Sequence, residues 1–267
     1  MQNYSNVKLA FSGKQTIEET NFIDIVATVG RIELIPYEKK EVLYEVYLEN
    51  PVALAKFNVS IDKLRNKIEI VLKHRNIIFS PFLNKALIKI YIPKIYKNGI
   101  VINAVSASVF GEGISVRHID ASCVSGSISL VDCSTETTFL SCVSGGIDVA
   151  NSKANIFMAK NKSGSIKVKN IAFANQNVSE TSIIAETISG KLELGILDCY
   201  SKIDAKTTSG KITADFPKNY VYQQEFSTVS GKIKNNYDTT KHIGKVCSNA
   251  INRVKMSVIS GDINLNQ

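Results

Sequence analysis

The segment Cys123-Val124-Ser125-Gly126-Ser127-Ile128-Ser129-Leu130 returns as Cys142-Val143-Ser144-Gly145-Gly146-Ile147-Asp148-Val149, and its Ser-Gly step then recurs along the rest of the chain. Ser-Gly stands at 125–126, 144–145, 163–164, 189–190, 209–210, 230–231 and 260–261, so the glycines lie 19, 19, 26, 20, 21 and 30 residues apart. A period near twenty with occasional insertions marks a stacked array. Two residues after each Gly come Ile128, Ile147, Ile166, Leu192, Ile212, Ile233 and Ile263. Four after it come Leu130, Val149, Val168, Leu194, Ala214, Asn235 and Leu265, with Asn235 the exception to an apolar column. Between them stand Ser129, Asp148, Lys167, Glu193, Thr213, Lys234 and Asn264. Alternation with a period of two is a strand with one buried face.

A second strand enters each corner. Five residues before the Gly lie Ala121, Leu140, Ala159, Ala185, Ala205, Phe226 and Met256, and three before it Cys123, Cys142, Asn161, Thr187, Thr207, Thr228 and Val258. The Gly provides a turn or a close backbone approach that a β-carbon would obstruct. One coil of this kind cannot bury its apolar face alone, but stacked coils share a continuous core. The fold expected is therefore all-β, a β-solenoid of rungs of about twenty residues spaced ~4.8 Å apart. A right-handed coil is the expected hand.

Residues 101–267 carry the repeat, and a rung near Ile114 and Val116, with Gly111 and Gly113 in place of Ser-Gly, is expected to open the array. Outward loops are expected near 169–181 and 236–252. Residues 1–100 form a strand-rich N-terminal part continuous with the solenoid, as in Phe22–Ala27, Lys67–Leu72 and Ala86–Ile92. Gly30-Arg31-Ile32-Glu33-Leu34 repeats the corner once more, so this part reads as one rung followed by longer antiparallel strands. Amphipathic helices of ten residues are absent from the pattern, and only Ser80–Leu87 suits a helical turn.

The early Gly-x-Ile-x-Leu, then Ile90-Tyr91-Ile92-Pro93-Lys94, then serial Ser-Gly-x-Ile corners, resemble the bacterial putative-adhesin family of Ser-Gly repeat domains over residues 20–267. The resemblance implies a β-solenoid, a link to the cell envelope or envelope stress, and no catalytic residues to carry over. Its secreted or membrane-tethered members differ from this chain, whose first residues, Met1-Gln2-Asn3-Tyr4-Ser5-Asn6, show no signal pattern. No window approaches eighteen consecutive apolar residues. Cytoplasmic residence is the default expectation, with envelope association following from the resemblance.

Composition is that of a globular chain: 267 residues, 44% apolar, 21% charged, five Cys and no Trp, which excludes collagen, disorder and coiled coil. Net charge is +8, with 15 basic against 10 acidic residues in 1–100 and 17 against 14 beyond, so no polybasic arm is present. The excess favours an anionic partner, such as an anionic cell-envelope polymer or a membrane surface. Nucleic acid is disfavoured because no stacking aromatics interleave with the lysines. Five scattered cysteines without a CxxC argue against a disulfide framework and a zinc site, and buried reduced thiols are expected.

No catalytic constellation emerges. His74, His118 and His242 lack HExxH or HxH spacing. Ser12-Gly13-Lys14-Gln15-Thr16 misses the first Gly of a phosphate loop and reads as a turn. Without GxSxG the corner serines are turn residues. Asp148 and Glu193 share a column with Lys167 between them, which is unlike the carboxylate-lined groove of a carbohydrate-active solenoid enzyme. The reading is a non-enzymatic binding or scaffolding module without cofactor or metal, the alternatives being that enzyme and an anionic-polymer or nucleic-acid binder.

Three features point to interaction. Lys191, Lys211 and Lys232 each follow a corner Gly; in consecutive rungs they would form an anion-binding ladder with a ~5 Å repeat. Cys123 and Cys142 occupy equivalent positions in adjacent rungs, and rung spacing favours a thiol ladder over a disulfide. The terminal strand Ile263-Asn264-Leu265 would expose an edge open to homo-oligomer formation.

Overall fold

Every regular element of the computed structural model is a strand, as the two-residue alternation requires. The structure describes residues 4, 6–17, 22–49, 54–62, 67–74, 86–175, 180–218, 220, 222–235 and 252–266. The N-terminal part contains β1 (Lys8–Thr16), β2 (Phe22–Tyr37), β3 (Glu41–Leu48), β4 (Leu54–Asp62), β5 (Lys67–His74) and β6 (Ala86–Pro93). A long strand, β7 (Gly99–Glu112), leads into rungs of paired strands. These are β8 (His118–Ser125) with β9 (Ile128–Val131), β10 (Ser134–Ser144) with β11 (Ile147–Ala150), β12 (Lys153–Ser163) with β13 (Ile166–Ile171) and β14 (Ser182–Ser189) with β15 (Leu192–Ile196). Then come β16 (Lys202–Ser209) with β17 (Ile212–Asp215), β18 (Gln223–Ser230) with β19 (Ile233–Asn235) and β20 (Arg253–Ser260) with β21 (Ile263–Asn266).

Like stacks on like. Cys142 faces Cys123, Ser144 faces Ser125 and Ser163, and Ile147 faces Ile128 and Ile166, all in parallel register. The column two residues past the glycine is fully buried at Ile128, Ile147, Ile166, Leu192, Ile212 and Ile263. The β-solenoid expected from the repeat is therefore the fold. Polar members of the inward column are satisfied in one recurring way: Asn161 Nδ2, Thr187 Oγ1 and Thr228 Oγ1 donate to the carbonyls of Gly145, Gly164 and Gly261 at 2.6, 3.1 and 3.0 Å. A buried donor left unpaired would be costly, so the corner carbonyl of the neighbouring rung is what admits Asn and Thr to the core.

The order of rungs in space departs from their order in sequence. The C-terminal rung β20–β21 lies between β16–β17 and β18–β19: Ser260 pairs with both Ser209 and Ser230, and Ile263 with both Ile212 and Ile233. The terminal edge is thus β18–β19, and the expectation of an open edge at Ile263-Asn264-Leu265 is corrected. Hydrophobic burial explains the exchange. Val254, Met256, Val258, Ile263 and Leu265 are all buried, whereas the displaced rung offers Phe226, half-buried, and Ile233, 42% exposed.

The first rung is β2, with its corner at Gly30. It pairs in parallel with β7 on one side and with β5 and β6 on the other, so β5 and β6 together complete one more level. Lys67 Nζ donates to Asp24 Oδ2 at 2.8 Å and ties β5 to β2. Beyond this level β4, β3 and β1 continue the edges antiparallel. Ser12–Thr16, read from sequence as a turn, lies within β1 opposite Glu41–Glu45. Its Gly13 suits a strand because the Tyr44 ring occupies the place of a β-carbon, with Tyr44 Oη 2.2 Å from that point.

Of the loops expected, residues 176–179 and 236–251 lie outside the described residues, while 169–171 extend β13 and Ala172 bridges to Lys153. The turn expected at 80–87 likewise falls outside them up to 85, and Ala86 and Leu87 begin β6. Four successive levels turn again at a second corner, where Asp132, Asn151 and Asn170 adopt φ of 53°, 49° and 56° and Gly113 66°. Asn and Asp tolerate this left-handed region better than other side-chain-bearing residues. Asn170 Nδ2 donates to Asn151 Oδ1 at 2.8 Å, so the second corner carries a short amide ladder.

Candidate functional site

The Ser-Gly corner forms a ridge running along the stack, and three side-chain columns define it. Serine occupies its crest, exposed at Ser106, Ser125, Ser144, Ser163, Ser189, Ser209, Ser260 and Ser230 in spatial order. Immediately before each serine stand Val105, Val124, Val143, Lys162, Ile188, Thr208, Ile259 and Val229, also exposed. Their exposure reaches 54% at Ile188 and 84% at Val229. A strand with this phase should put polar residues outward, and a row of β-branched aliphatics there instead is a mark of interaction. Seven rung spacings give the row a length of about 34 Å.

Lysines flank this row. Lys160 and Lys206 lie two residues before it on β12 and β16, and Lys162 stands within it. A groove of ≈ 390 Å³ runs beside the ridge, bordered by Val143, Lys160, Lys162, Ile188, Lys206 and Thr208. Lys160 pairs with Glu186 at 3.1 Å. Beyond the crest, Lys191 and Lys211 follow the glycines of neighbouring rungs, as the sequence suggested. Lys232 does not continue their ladder, because the inserted rung places Asp262 between Lys211 and Lys232, and the Lys232 amide donates to Asp262 Oδ1 at 2.8 Å. The expected three-lysine ladder is therefore a pair plus one lysine next to a carboxylate.

The outer face past the corner is charge-balanced. Asp148 registers with Lys167, which registers with Glu193, and Lys167 Nζ meets Glu193 at 3.1 Å. The two carboxylates do not converge on an open groove. His118 Nδ1 is engaged by Thr137 Oγ1. His242, the His74 side chain and Cys247 lie outside the described residues. Among the described residues no group of three His, Cys, Asp or Glu is placed to hold a metal ion.

A second cluster, on the N-terminal sheet, was not anticipated. Tyr47 and Tyr91 both donate to Glu45 Oε2 at 2.9 Å, Tyr37 packs on Tyr91 at 5.5 Å, and Lys89 lies over the Tyr47 ring. Burial, then the bond to Glu45, pushes the Tyr91 hydroxyl up to about 12. All of these rings are half-buried. The hint in the sequence is the run of Tyr37, Tyr44, Tyr47 and Tyr91 set in alternating strands.

Inside the coil, buried tyrosines close the third side. Tyr200 Oη donates to the carbonyls of Ala154 and Ala172 at 2.7 and 2.8 Å, and Tyr220 Oη to that of Tyr200 at 2.6 Å. Cys123, Cys133 and Cys142 are buried, and Cys199 is half-buried.

Comparison with known proteins follows from this geometry. The crystal structure of a putative adhesin from Bacteroides fragilis superposes with a TM-score of 0.61 at 17% identity, covering 97% of each chain. A putative adhesin from Parabacteroides merdae gives 0.49 at 13% identity over 97% of each chain. At these identities the likeness is one of fold. No curated protein matches the sequence. No helix among the described residues is long and apolar enough to cross a membrane, which leaves strands out of account. The profile of one family matches residues 24–266, nearly the whole chain and every rung of the stack, and the chain belongs to that family, Toastrack DUF4097.

Proposed function

We propose that the protein is a non-enzymatic binding module that lays its Ser-Gly ridge on an anionic lipid surface of the bacterial cell envelope. The observation that carries this reading is the exposed aliphatic row with lysines on both flanks. A solenoid corner is a straight edge, and a straight edge meets a flat surface along its whole length. Valine and isoleucine side chains then enter the boundary of headgroups and acyl chains, while Lys160, Lys162, Lys191, Lys206 and Lys211 face anionic headgroups. Among the described residues Lys162, Lys191, Lys206 and Lys211 form no ion pair, so their charge is available. Net charge of +8 adds long-range attraction. An anionic wall polymer would use the lysines but leave the aliphatic row uncovered, and nucleic acid would want aromatics along the ridge. The carbohydrate-active enzyme is disfavoured by the pairing of Glu193 with Lys167.

Co-sedimentation with vesicles tests the reading. Binding to anionic vesicles is expected at 0.1 M salt and is lost toward 1 M, as the screening length falls from about 10 to about 3 Å. Each lysine near the surface contributes about 1 kcal/mol, so replacing Lys191 and Lys211 together with Gln weakens binding about thirtyfold. Lys232→Gln has a smaller effect because the inserted rung separates it from Lys211 and sets a carboxylate, Asp262, between them. Failure of the wild type to bind anionic vesicles at low salt would overturn the proposal, and salt-sensitive binding to wall fragments in its place would assign the lysines to a polymer.

Self-association is a second reading, favoured by the β18–β19 edge. Among the described residues these strands pair on one side only, and Ile233 is 42% exposed there. Edges of this kind add strands from a second copy. A mass in solution that stays monomeric across a wide concentration range excludes it.

A further inference from the structure

Two buried thiols face each other across neighbouring rungs, and packing alone does not call for them. Cys123 on β8 and Cys142 on β10 are register partners, with Sγ atoms 3.0 Å apart. In the following rungs the same inward position is held by Asn161, Thr187 and Thr207, each donating to a glycine carbonyl. The thiols make weaker use of that arrangement: Cys123 Sγ lies 3.1 Å from Gly126 O and Cys142 Sγ 3.9 Å from Gly146 O. The other buried thiol, Cys133, has only carbonyl partners, those of Gly111 and Val131. Cys123 and Cys142 are thus the one pair of cysteines in contact among the described residues.

We propose that Cys123 and Cys142 form an oxidisable dithiol that peroxide converts into a disulfide joining two rungs of the solenoid. The inference is independent of any lipid binding. A disulfide has its sulfurs ~2.05 Å apart and its β-carbons at ~3.5–4.5 Å, whereas neighbouring strands lie ~4.7–4.9 Å apart. Closure therefore needs the sulfurs to approach by about 1 Å and the rungs by a few tenths of an ångström, within the play of side-chain rotation and sheet twist. Both thiols face the core, at 3% and 2% exposure, so peroxide reaches them when the rungs open locally. Hydrogen peroxide, little larger than water, enters where bulkier reagents do not.

The reaction balances in two steps. Cys123 as thiolate attacks one peroxide oxygen, the O–O bond breaks, and the departing hydroxide takes up the thiol proton, leaving Cys123 sulfenic acid and water. Cys142 sulfur then attacks the Cys123 sulfur, the S–O bond breaks, and the second water leaves with the Cys142 proton. Two thiols are oxidised and one peroxide is reduced to two waters. The hydrogen bond received from Cys142 lowers the Cys123 thiol below its ordinary value, against the opposing effect of burial, while the same bond and burial push Cys142 up.

The test uses the full-length reduced protein, treated with hydrogen peroxide and then alkylated after denaturation. Alkylated thiols should fall from five, the cysteine content of the chain, to three. Before alkylation the intact mass should drop by about 2 Da relative to the untreated protein, and peptide mapping should join Cys123 to Cys142. Dithiothreitol should restore all five. Cys142→Ala should yield oxygen adducts on Cys123 and no linked peptide. Protein oxidised after unfolding should give mixed pairings, which separates the effect of the fold from cysteine reactivity as such. Five alkylatable thiols after treatment, sulfinic or sulfonic acid without a linkage, or a linkage between other cysteines would each overturn the proposal.

Discussion

Gly145→Ala should destabilise the protein by about 3 kcal/mol or more, a loss comparable to that of a buried side chain. Two constraints act together at this corner. Gly145 has φ +138°, and a β-carbon there would sit 1.8 Å from the carbonyl oxygen of Gly126 in the next rung. The obstacle is backbone, so relief requires two rungs to separate and the ladder between them to open. Gly146 is the control within the same turn. A β-carbon on it would meet nothing nearer than Asp148 Oδ2 at 3.5 Å. Gly146→Ala should therefore be neutral, or stabilising by up to ~1 kcal/mol through the unfolded chain. Thermal and urea unfolding of the two variants, followed by circular dichroism, measure the contrast; equal midpoints would mean that the corner glycines do not stack.

The second large effect lies in the core. Ile147 is fully buried between Ile128 and Ile166, so Ile147→Ala should cost about 2–5 kcal/mol through lost burial and the cavity left behind. Asp148, next in sequence and exposed, should change stability by less than ~0.5 kcal/mol on replacement by Ala. Urea midpoints with unchanged m-values report stability alone. Similar losses at both sites would place the strand in the opposite phase.

Much of this architecture could be read from the chain because the solenoid repeats its physics. A serine and glycine at the corner, then isoleucine two residues later, identify each rung without reference to its neighbours. The same independence hides which rung stacks on which. Gly261 meets Gly210, and Gly231 meets Gly261, an order that spacing along the sequence could not supply. The clue was Asn235 in a column otherwise apolar: a rung with a polar residue there loses the interior place to one with Leu265. That single exchange also changed the charge pattern, since Asp262 came to lie beside Lys232. The pairing of β2 with β7 had no repeat to announce it, because the strands between them form a level on its far side. The second corner was missed for a different reason. Gly113, Asp132, Asn151 and Asn170 share a left-handed backbone but no one residue type.

The site was less legible than the fold. Lysines after the corner drew attention because like charges in a ladder repel. Val124, Val143 and Ile188 did not, since an aliphatic residue in a strand is read first as core. Only the structure, by fixing the strand phase, turned them outward. The proposed lipid contact would use features that charge alone leaves unused, and the serine crest would supply hydroxyls able to bond headgroup oxygens or water.

The chain contains no Trp, so a single introduced indole reports its own surroundings without background. Val143→Trp and Ile188→Trp place it on the ridge, and Lys153→Trp places it at the exposed far end of the long strand β12. With anionic vesicles containing brominated acyl chains, the two ridge variants should shift their emission to the blue and be quenched, and the Lys153 variant should do neither. Unchanged emission from Val143→Trp and Ile188→Trp, under conditions where the protein sediments with the vesicles, would contradict the seating of the ridge in the lipid surface.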